Sequence, residues 1–161
     1  MKKLLVLIIS AILTIGLFIS CGEKSKVIEG VETKFEDYSN NLIFSYLDKD
    51  YKITADIYKN ISTDTKIEYG NVNIKDNTAT IEVKVTSKNF NRIIQRASNI
   101  AINNITNKIF DGLALLEETQ WEVYNEEEPE TRTATLELIK YKDKWYIENI
   151  EDFTYLFSGY Y

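Results

Sequence analysis

The sequence predicts an α+β domain, with helices first and then an antiparallel sheet interrupted by one long helix. Three observations carry this expectation. Apolar residues recur at helical spacing from Val31 to Leu47, alternate strictly from Ala79 to Val85, and return to helical spacing from Phe90 to Leu116.

Val31, Phe35, Tyr38, Leu42, Tyr46 and Leu47 place one apolar stripe on a first helix, which Asp48-Lys49-Asp50 ends. The next segment reads two ways. Tyr51, Ile53, Ala55 and Ile57 alternate like a strand, whereas Tyr51, Ala55, Tyr58 and Ile61 fit a helix; a short helix is favoured. Ile67 and Tyr69 then share one strand phase and Val72 and Ile74 the other, with Gly70-Asn71 at the change, the pattern of a bulge. Ala79, Ile81, Val83 and Val85 alternate with Thr80, Glu82, Lys84 and Thr86, so Lys75-Asp76-Asn77 turns an antiparallel hairpin.

A long helical stripe follows through Phe90, Ile94, Ala97, Ala101, Ile105, Ile109, Leu113 and Leu116, with Ser87 or Asn89 as its N-cap and Gly112 loosening its end. Trp121 and Val123 suggest a short strand, and Asn125 to Pro129 an acidic loop. Ala134, Leu136 and Leu138 mark a further strand, Lys142-Asp143-Lys144 turns it, and Trp145 and Ile147 begin the last. Phe153, Leu156 and Phe157 close the chain as a short helix. The 161 residues suit one domain, and no Gly/Ser-rich or Pro-rich stretch separates two.

The N-terminus carries an address. Lys2 and Lys3 precede a nearly unbroken apolar run from Leu4 to Ile19, closed by Phe18-Ile19-Ser20-Cys21-Gly22. This resembles the lipobox of a bacterial lipoprotein signal peptide, although Leu is commoner than Phe three residues before the cysteine. A retained transmembrane anchor would need roughly 20 apolar residues, and Ser10, Thr14 and Gly16 break this run. An ordinary secretory signal would end at a small-x-small site, for which Phe18 is too large. The resemblance implies residues 1–20 as signal peptide, a diacylglycerol thioether with palmitate-like chains on Cys21, residues 21–30 as a solvated tether and residues 31–161 as one domain. It also implies an extracytoplasmic protein on the cell membrane or outer membrane. Each buried methylene contributes about 0.8 kcal/mol, so two or three chains anchor permanently. With its lone cysteine lipidated, the domain has no disulfide available and is stable by packing alone.

Loss of Lys2 and Lys3 takes the formal charge from −6 to −8. So acidic a chain is repelled by nucleic acid phosphates and anionic lipid headgroups alike, so no nucleic acid partner is expected and the lipid alone is expected to hold it.

The lipobox, the hairpin from Ile67 to Val85 feeding the Asn89 helix, and the ending Tyr141-Lys-Asp-Lys-Trp-Tyr-Ile-Glu-Asn-Ile150 together resemble the bacterial lipoprotein branch of the nuclear-transport-factor-two-like superfamily. That resemblance implies N-terminal helices against a curved antiparallel sheet, forming a cone with a concavity. The superfamily hosts many unrelated functions, so the fold alone implies no activity.

The missing groups are informative. Without a single histidine, a Ser-His-Asp triad, a Cys-His pair and an imidazole-ligated metal cannot be built from this chain. No P-loop or GxGxxG pattern occurs. Asp48 and Asp50 resemble the opening of a calcium loop, but Lys52 and Ile53 stand where an acidic ligand and the turn glycine belong. Glu126, Glu127, Glu128 and Glu130 read as a solvated loop, and Lys140, Lys142 and Lys144 as a charged hairpin turn. No metal or cofactor is expected.

Tyrosine is the more suggestive population. Tyr38, Tyr46, Tyr51, Tyr58, Tyr69, Tyr141 and Tyr146 fall on or near predicted inner faces, with Trp121 and Trp145. Rings with one polar tip suit an apolar ligand held by a few hydrogen bonds, and Tyr38, Tyr46, Tyr58, Tyr69, Trp121 and Trp145 are the candidate lining of such a pocket. The competing reading is that they fill the core. The expected function is a noncatalytic binding or interaction module at the envelope, taking a small apolar ligand or an envelope protein. The alternatives are an envelope enzyme using carboxylates and tyrosines in the cone, and an assembly subunit.

Overall fold

The computed structural model describes residues 22–41, 52–105 and 112–159. The signal segment with Cys21, the stripe residues Leu42, Tyr46 and Leu47, the Asp48-Lys49-Asp50 turn, and Tyr51 lie outside the described residues.

Helix α1 spans 22–41. Val27 and Val31, one helical turn apart, are fully buried, and Phe35 and Tyr38 continue the stripe half-buried. The apolar face therefore begins a turn earlier than expected: residues 22–30, read as a solvated tether, are helical and already contribute Val27 to the core. Helix α2 (Lys52–Asp64) realises the helical reading of its segment and buries Ala55, Ile57, Tyr58 and Ile61.

Strands β1 (Lys66–Lys75) and β2 (Thr78–Ser87) pair antiparallel, with a register shift between Tyr69 and Val72. That is the bulge expected at Gly70-Asn71. In β2 the alternation is complete: Ala79, Ile81, Val83 and Val85 are buried, while Glu82 is exposed and Lys84 partly so.

Helix α3 (Phe90–Ile105) starts where the Asn89 Oδ1 accepts the Arg92 backbone N–H at 2.9 Å, so Asn89 is the cap. Two expectations are corrected here. The single long stripe is two helices, α3 and α4 (Gly112–Glu126), packed on each other. Trp121 and Val123, expected as a strand, lie inside α4. Two alternating residues are too short a sample to fix a period; Val123 is buried with Leu116 packed nearby, and Trp121 meets Tyr124 edge-on at 5.5 Å, one turn along.

Strand β3 (Glu130–Tyr141) pairs with the whole of β2 through Glu130 to Ile139, and β4 (Lys144–Ile147) folds back on β3. The sheet order is β1-β2-β3-β4, so β3 returns beside β2 despite the two intervening helices. Helix α5 (Ile150–Ser158) packs on β2 and β3 and ends at Gly159, whose φ of 73° supplies the left-handed cap. The α+β class and the antiparallel sheet are thus as expected, with a helical pair where one helix was foreseen.

The interior divides in two. One core joins the inner sheet face to α1 and α5 through Val31, Ile81, Leu136, Trp145, Phe153 and Phe157. Phe35 stacks on Phe157 at 4.4 Å, and Tyr38 meets Phe153 edge-on at 5.6 Å. The other core joins α2, α3 and α4 through Ile57, Tyr58, Phe90, Ile93, Ala97 and Val123. The opposite sheet face is rich in Thr, including Thr131, Thr133 and Thr135, all exposed.

Candidate functional site

A groove of about 610 Å³ lies between α1 and the β3–β4 hairpin. Its position follows from one close approach. A Cβ on Gly30 would fall 2.7 Å from the backbone oxygen of Trp145, so only glycine lets α1 lie against the outer edge of β4. The helix thereby covers an edge strand that would otherwise invite pairing. The hairpin turn is held by Lys142 and Asp143, with φ of 47° and 62°, as a two-residue turn of the kind that matches strand twist.

Apolar surface in the groove comes from Trp145, Tyr146, Ile147 and Ile150; charge comes from Lys26, Glu29, Lys34 and Asp37 on α1 and from the Lys142-Asp143-Lys144 turn. Ion pairs fasten its rim. The Lys140 Nζ lies 3.1 Å from Glu23, and Lys26 lies 3.2 Å from the same carboxylate. These two lysines hold the Glu23 carboxyl below its ordinary pKa, Lys140 first. The Lys140 ammonium also sits 5.8 Å from the Trp145 ring centre. Trp145 is 4% exposed, and its indole Nε1 makes no hydrogen bond among the described residues.

The candidate pocket residues are dispersed. Tyr38, Tyr69 and Trp145 belong to the sheet-side core; Tyr58 and Trp121 belong to the helical core; Tyr46 lies outside the described residues. Tyr58 is 2% exposed and meets Phe90 edge-on at 5.0 Å. Burial pushes its phenol up to about 12, and burial together with the Glu32 charge pushes Tyr69 up as well. Of these residues, Trp145 borders the groove.

At the far end of the sheet the structure assembles an ion network. Glu127, expected in a solvated loop, is 5% exposed and pairs with both Arg92 and Arg96, one turn apart on α3. Glu130 accepts from Asn89 at 2.9 Å and pairs with Arg92 at 2.8 Å and Arg132 at 2.7 Å. Burial raises the Glu130 pKa, but these donors together outweigh it and leave the carboxyl lowered. Arg132, 3% exposed, also donates to the Leu156 carbonyl at 2.8 Å and to the Ser87 hydroxyl. Glu127 and, in part, Glu130 therefore turn inward because arginines on neighbouring elements neutralise them, while Glu126 and Glu128 stay exposed as expected. The readable signal was Arg92 and Arg96 at i,i+4, which face one way on any helix.

Among the described residues no group of three or more Asp, Glu or Cys side chains is placed to hold a metal ion. Among them, too, no helix is long and apolar enough to cross a membrane.

No protein-family model matches the chain, and no curated protein matches it. Its fold is similar to the crystal structure of the candidate lipoprotein YcdA from Bacillus subtilis, with a TM-score of 0.51 and 14% identity. The similarity covers 78% of this chain but 45% of that one, so this chain spans less than half of the solved protein's length. At that identity the likeness is one of fold.

Proposed function

We propose that this chain is a lipid-anchored extracytoplasmic protein whose domain is a noncatalytic binding or interaction module, with the groove between α1 and the β3–β4 hairpin as its site. The observation that carries this reading is the groove's place. It is built by a helix whose described residues start at 22, next to Cys21 in the sequence, and it combines an apolar floor with charged walls. The lipobox-like segment and the fold likeness to a candidate lipoprotein support the same address. The finer family reading, a nuclear-transport-factor-two-like cone, agrees with helices packed on one face of an antiparallel sheet.

The carboxylate chemistry favours binding over catalysis. Glu127, the buried carboxylate, is held by two arginines and borders none of the three cavities beside Tyr124, Ser39 and Trp145. Glu23 and Glu130 are both held ionised, the opposite of a poised general acid. Occupancy of the groove by a small apolar molecule or an envelope protein segment is the expected activity.

Two measurements test this. Cys21→Ala should abolish metabolic labelling with palmitate and leave the precursor uncleaved; normal processing of that variant would remove the anchor. Native mass spectrometry of the purified protein, or cross-linking from a photoreactive residue at Tyr146, should report a bound molecule or partner at the groove. An empty groove in both would reject the binding role.

A further inference from the structure

We infer that the tip of the β3–β4 hairpin, with the adjoining start of α1, is a docking surface for the anionic headgroups of the bilayer that carries the anchor. This rests on the lipid-anchored reading and goes beyond it, because an anchor alone leaves the domain free to tumble on its tether.

Geometry comes first. The start of α1 is clamped to the hairpin by the Glu23–Lys140 pair at 3.1 Å and by the seat of Gly30 on Trp145. Cys21 is two residues before Glu23. Even fully extended, two residues span at most about 7 Å. The expected tether is absent as a spacer, since residues 22–30 are helix. A lipid on Cys21 therefore brings the hairpin to the headgroup layer with almost no slack.

The surface delivered there has interfacial chemistry. Tyr141 is 61% exposed, Tyr146 48% and Ile139 40%, three of the exposed large apolar side chains in the described domain. Ile139 and Tyr146 are direct cross-strand neighbours, as are Tyr141 and Lys144, so these four side chains share the outer face of the hairpin. Aromatic rings with a polar tip are favoured at headgroup depth.

Charge is segregated in the same sense. Lys26, Lys142 and Lys144 border the groove at this end, and the Lys142 Nζ lies 5.2 Å over the Tyr141 ring. The nearby carboxylates Glu23 and Asp143 both lie against Lys140, at 3.1 and 3.8 Å, and Glu29 and Asp37 sit further along α1. With Lys2 and Lys3 removed the formal charge of the chain is −8. Repulsion of the acidic remainder and attraction of this tip act together to fix one orientation.

The test uses the full lipidated protein in vesicles. With Cys21 blocked by lipid, an introduced cysteine is the single free thiol. A nitroxide at Asp143→Cys is compared with one at Gln95→Cys, on the exposed side of α3. In vesicles containing phosphatidylglycerol, the label at 143 should be shielded from a water-soluble relaxation agent and reached by a lipid-soluble one, while the label at 95 stays aqueous. Shielding at 143 should fall in pure phosphatidylcholine and in high salt. Lys142→Ala and Lys144→Ala should each lower the docked population roughly fivefold.

Equal aqueous exposure at 143 and 95, in protein that floats with the vesicles, overturns the docking inference and leaves the anchor intact. Strong label–label coupling at 143 would assign the surface to a second copy of the chain and equally overturn it. Protein that fails to float overturns the anchored reading, and the docking inference with it.

Discussion

At the end of the sheet where β2 stops and β3 begins, Glu127 and Arg132 are almost wholly buried, and Glu130 bridges Arg92 to Arg132. At the end where β3 turns into β4, Lys142 and Lys144 are exposed beside exposed Tyr141 and Tyr146. The two ends use the same kinds of residue about 35 Å apart, taking a rise of roughly 3.3 Å per residue along β3. At the first end two charges, Glu127 and Arg132, are desolvated, so each must find its opposite, and the result ties α3, β3 and α5 together. At the second end the charges stay in water, cost little, and remain available to something outside the chain. Satisfied polar groups mark architecture; solvated cations clustered around aromatic rings mark a surface with an outside partner.

The largest expected effect breaks the paired end. Arg132→Leu leaves the buried Ser87 hydroxyl and the Leu156 carbonyl each short of a donor, and takes one of three partners from the half-buried Glu130. Removing one partner of a buried charge pair costs about 3–5 kcal/mol, measurable by urea denaturation. A loss under about 1 kcal/mol, the usual worth of an exposed pair, would show that the network is wet and that the two ends do not differ.

Next comes Gly30→Ala. Helix propensity alone predicts a gain of about 1 kcal/mol for alanine over glycine inside a helix. The 2.7 Å approach to a backbone oxygen predicts the reverse, because a carbonyl in β4 cannot swing aside as a side chain would. A net loss of about 1–3 kcal/mol is expected, the usual cost of overpacking. Stabilisation would mean that α1 does not lie on the edge of β4, and the groove would lose its wall.

A smaller effect is read from pH. Glu130 is held below its unfolded pKa, so its contribution is present above the ordinary carboxylate range and lost as pH falls through the lowered value. Glu130→Gln should flatten the acid limb of a stability–pH curve. Tyr58 acts in the other direction: its pKa rises from 10.0 to about 12 on folding, so stability is lost as pH climbs through that window. Tyr58→Phe should flatten the alkaline limb and leave the acid limb alone.

Features set by near neighbours were legible in the chain. The alternation of β2, the bulge after Tyr69, a cap at Ser87 or Asn89 and a turn within Lys142-Asp143-Lys144 each depend on residues within a few positions, and the structure narrows the last two to Asn89 and to Lys142-Asp143. Trp121 and Val123 were misread for the opposite reason, since two positions fit either period and Val123 is settled by α2 and α3 packing around it. The early start of α1 was missed because Glu23 to Lys26 are polar; Val27 and Val31 at i,i+4 were the available sign. The groove required Gly30 to meet Trp145 across more than a hundred residues, and the ion network required Arg92 to meet Glu127 across α3 and α4. No local pattern encodes such meetings, only their ingredients. Among the predicted pocket aromatics, side-chain type showed that the rings would be sheltered but not which of two cores would receive each one.

The smallest expected effect on stability belongs to the open end and sharpens the contrast most. Lys142→Ala and Lys144→Ala remove exposed cations from a tight turn and a short edge strand, so together they should change stability by no more than about 0.5 kcal/mol. Lys142 sits at φ 47°, which any residue but glycine pays for, so Lys142→Ala exchanges one strained side chain for another. Lys140→Ala, on the adjoining strand β3, is the control. Its ammonium is 21% exposed and reaches Glu23, so its loss should cost more than that of either Lys142 or Lys144 and loosen the start of α1. If Lys142 and Lys144 instead proved as costly as Lys140, the hairpin cations would be part of the scaffold, and both ends of the sheet would be doing the same job.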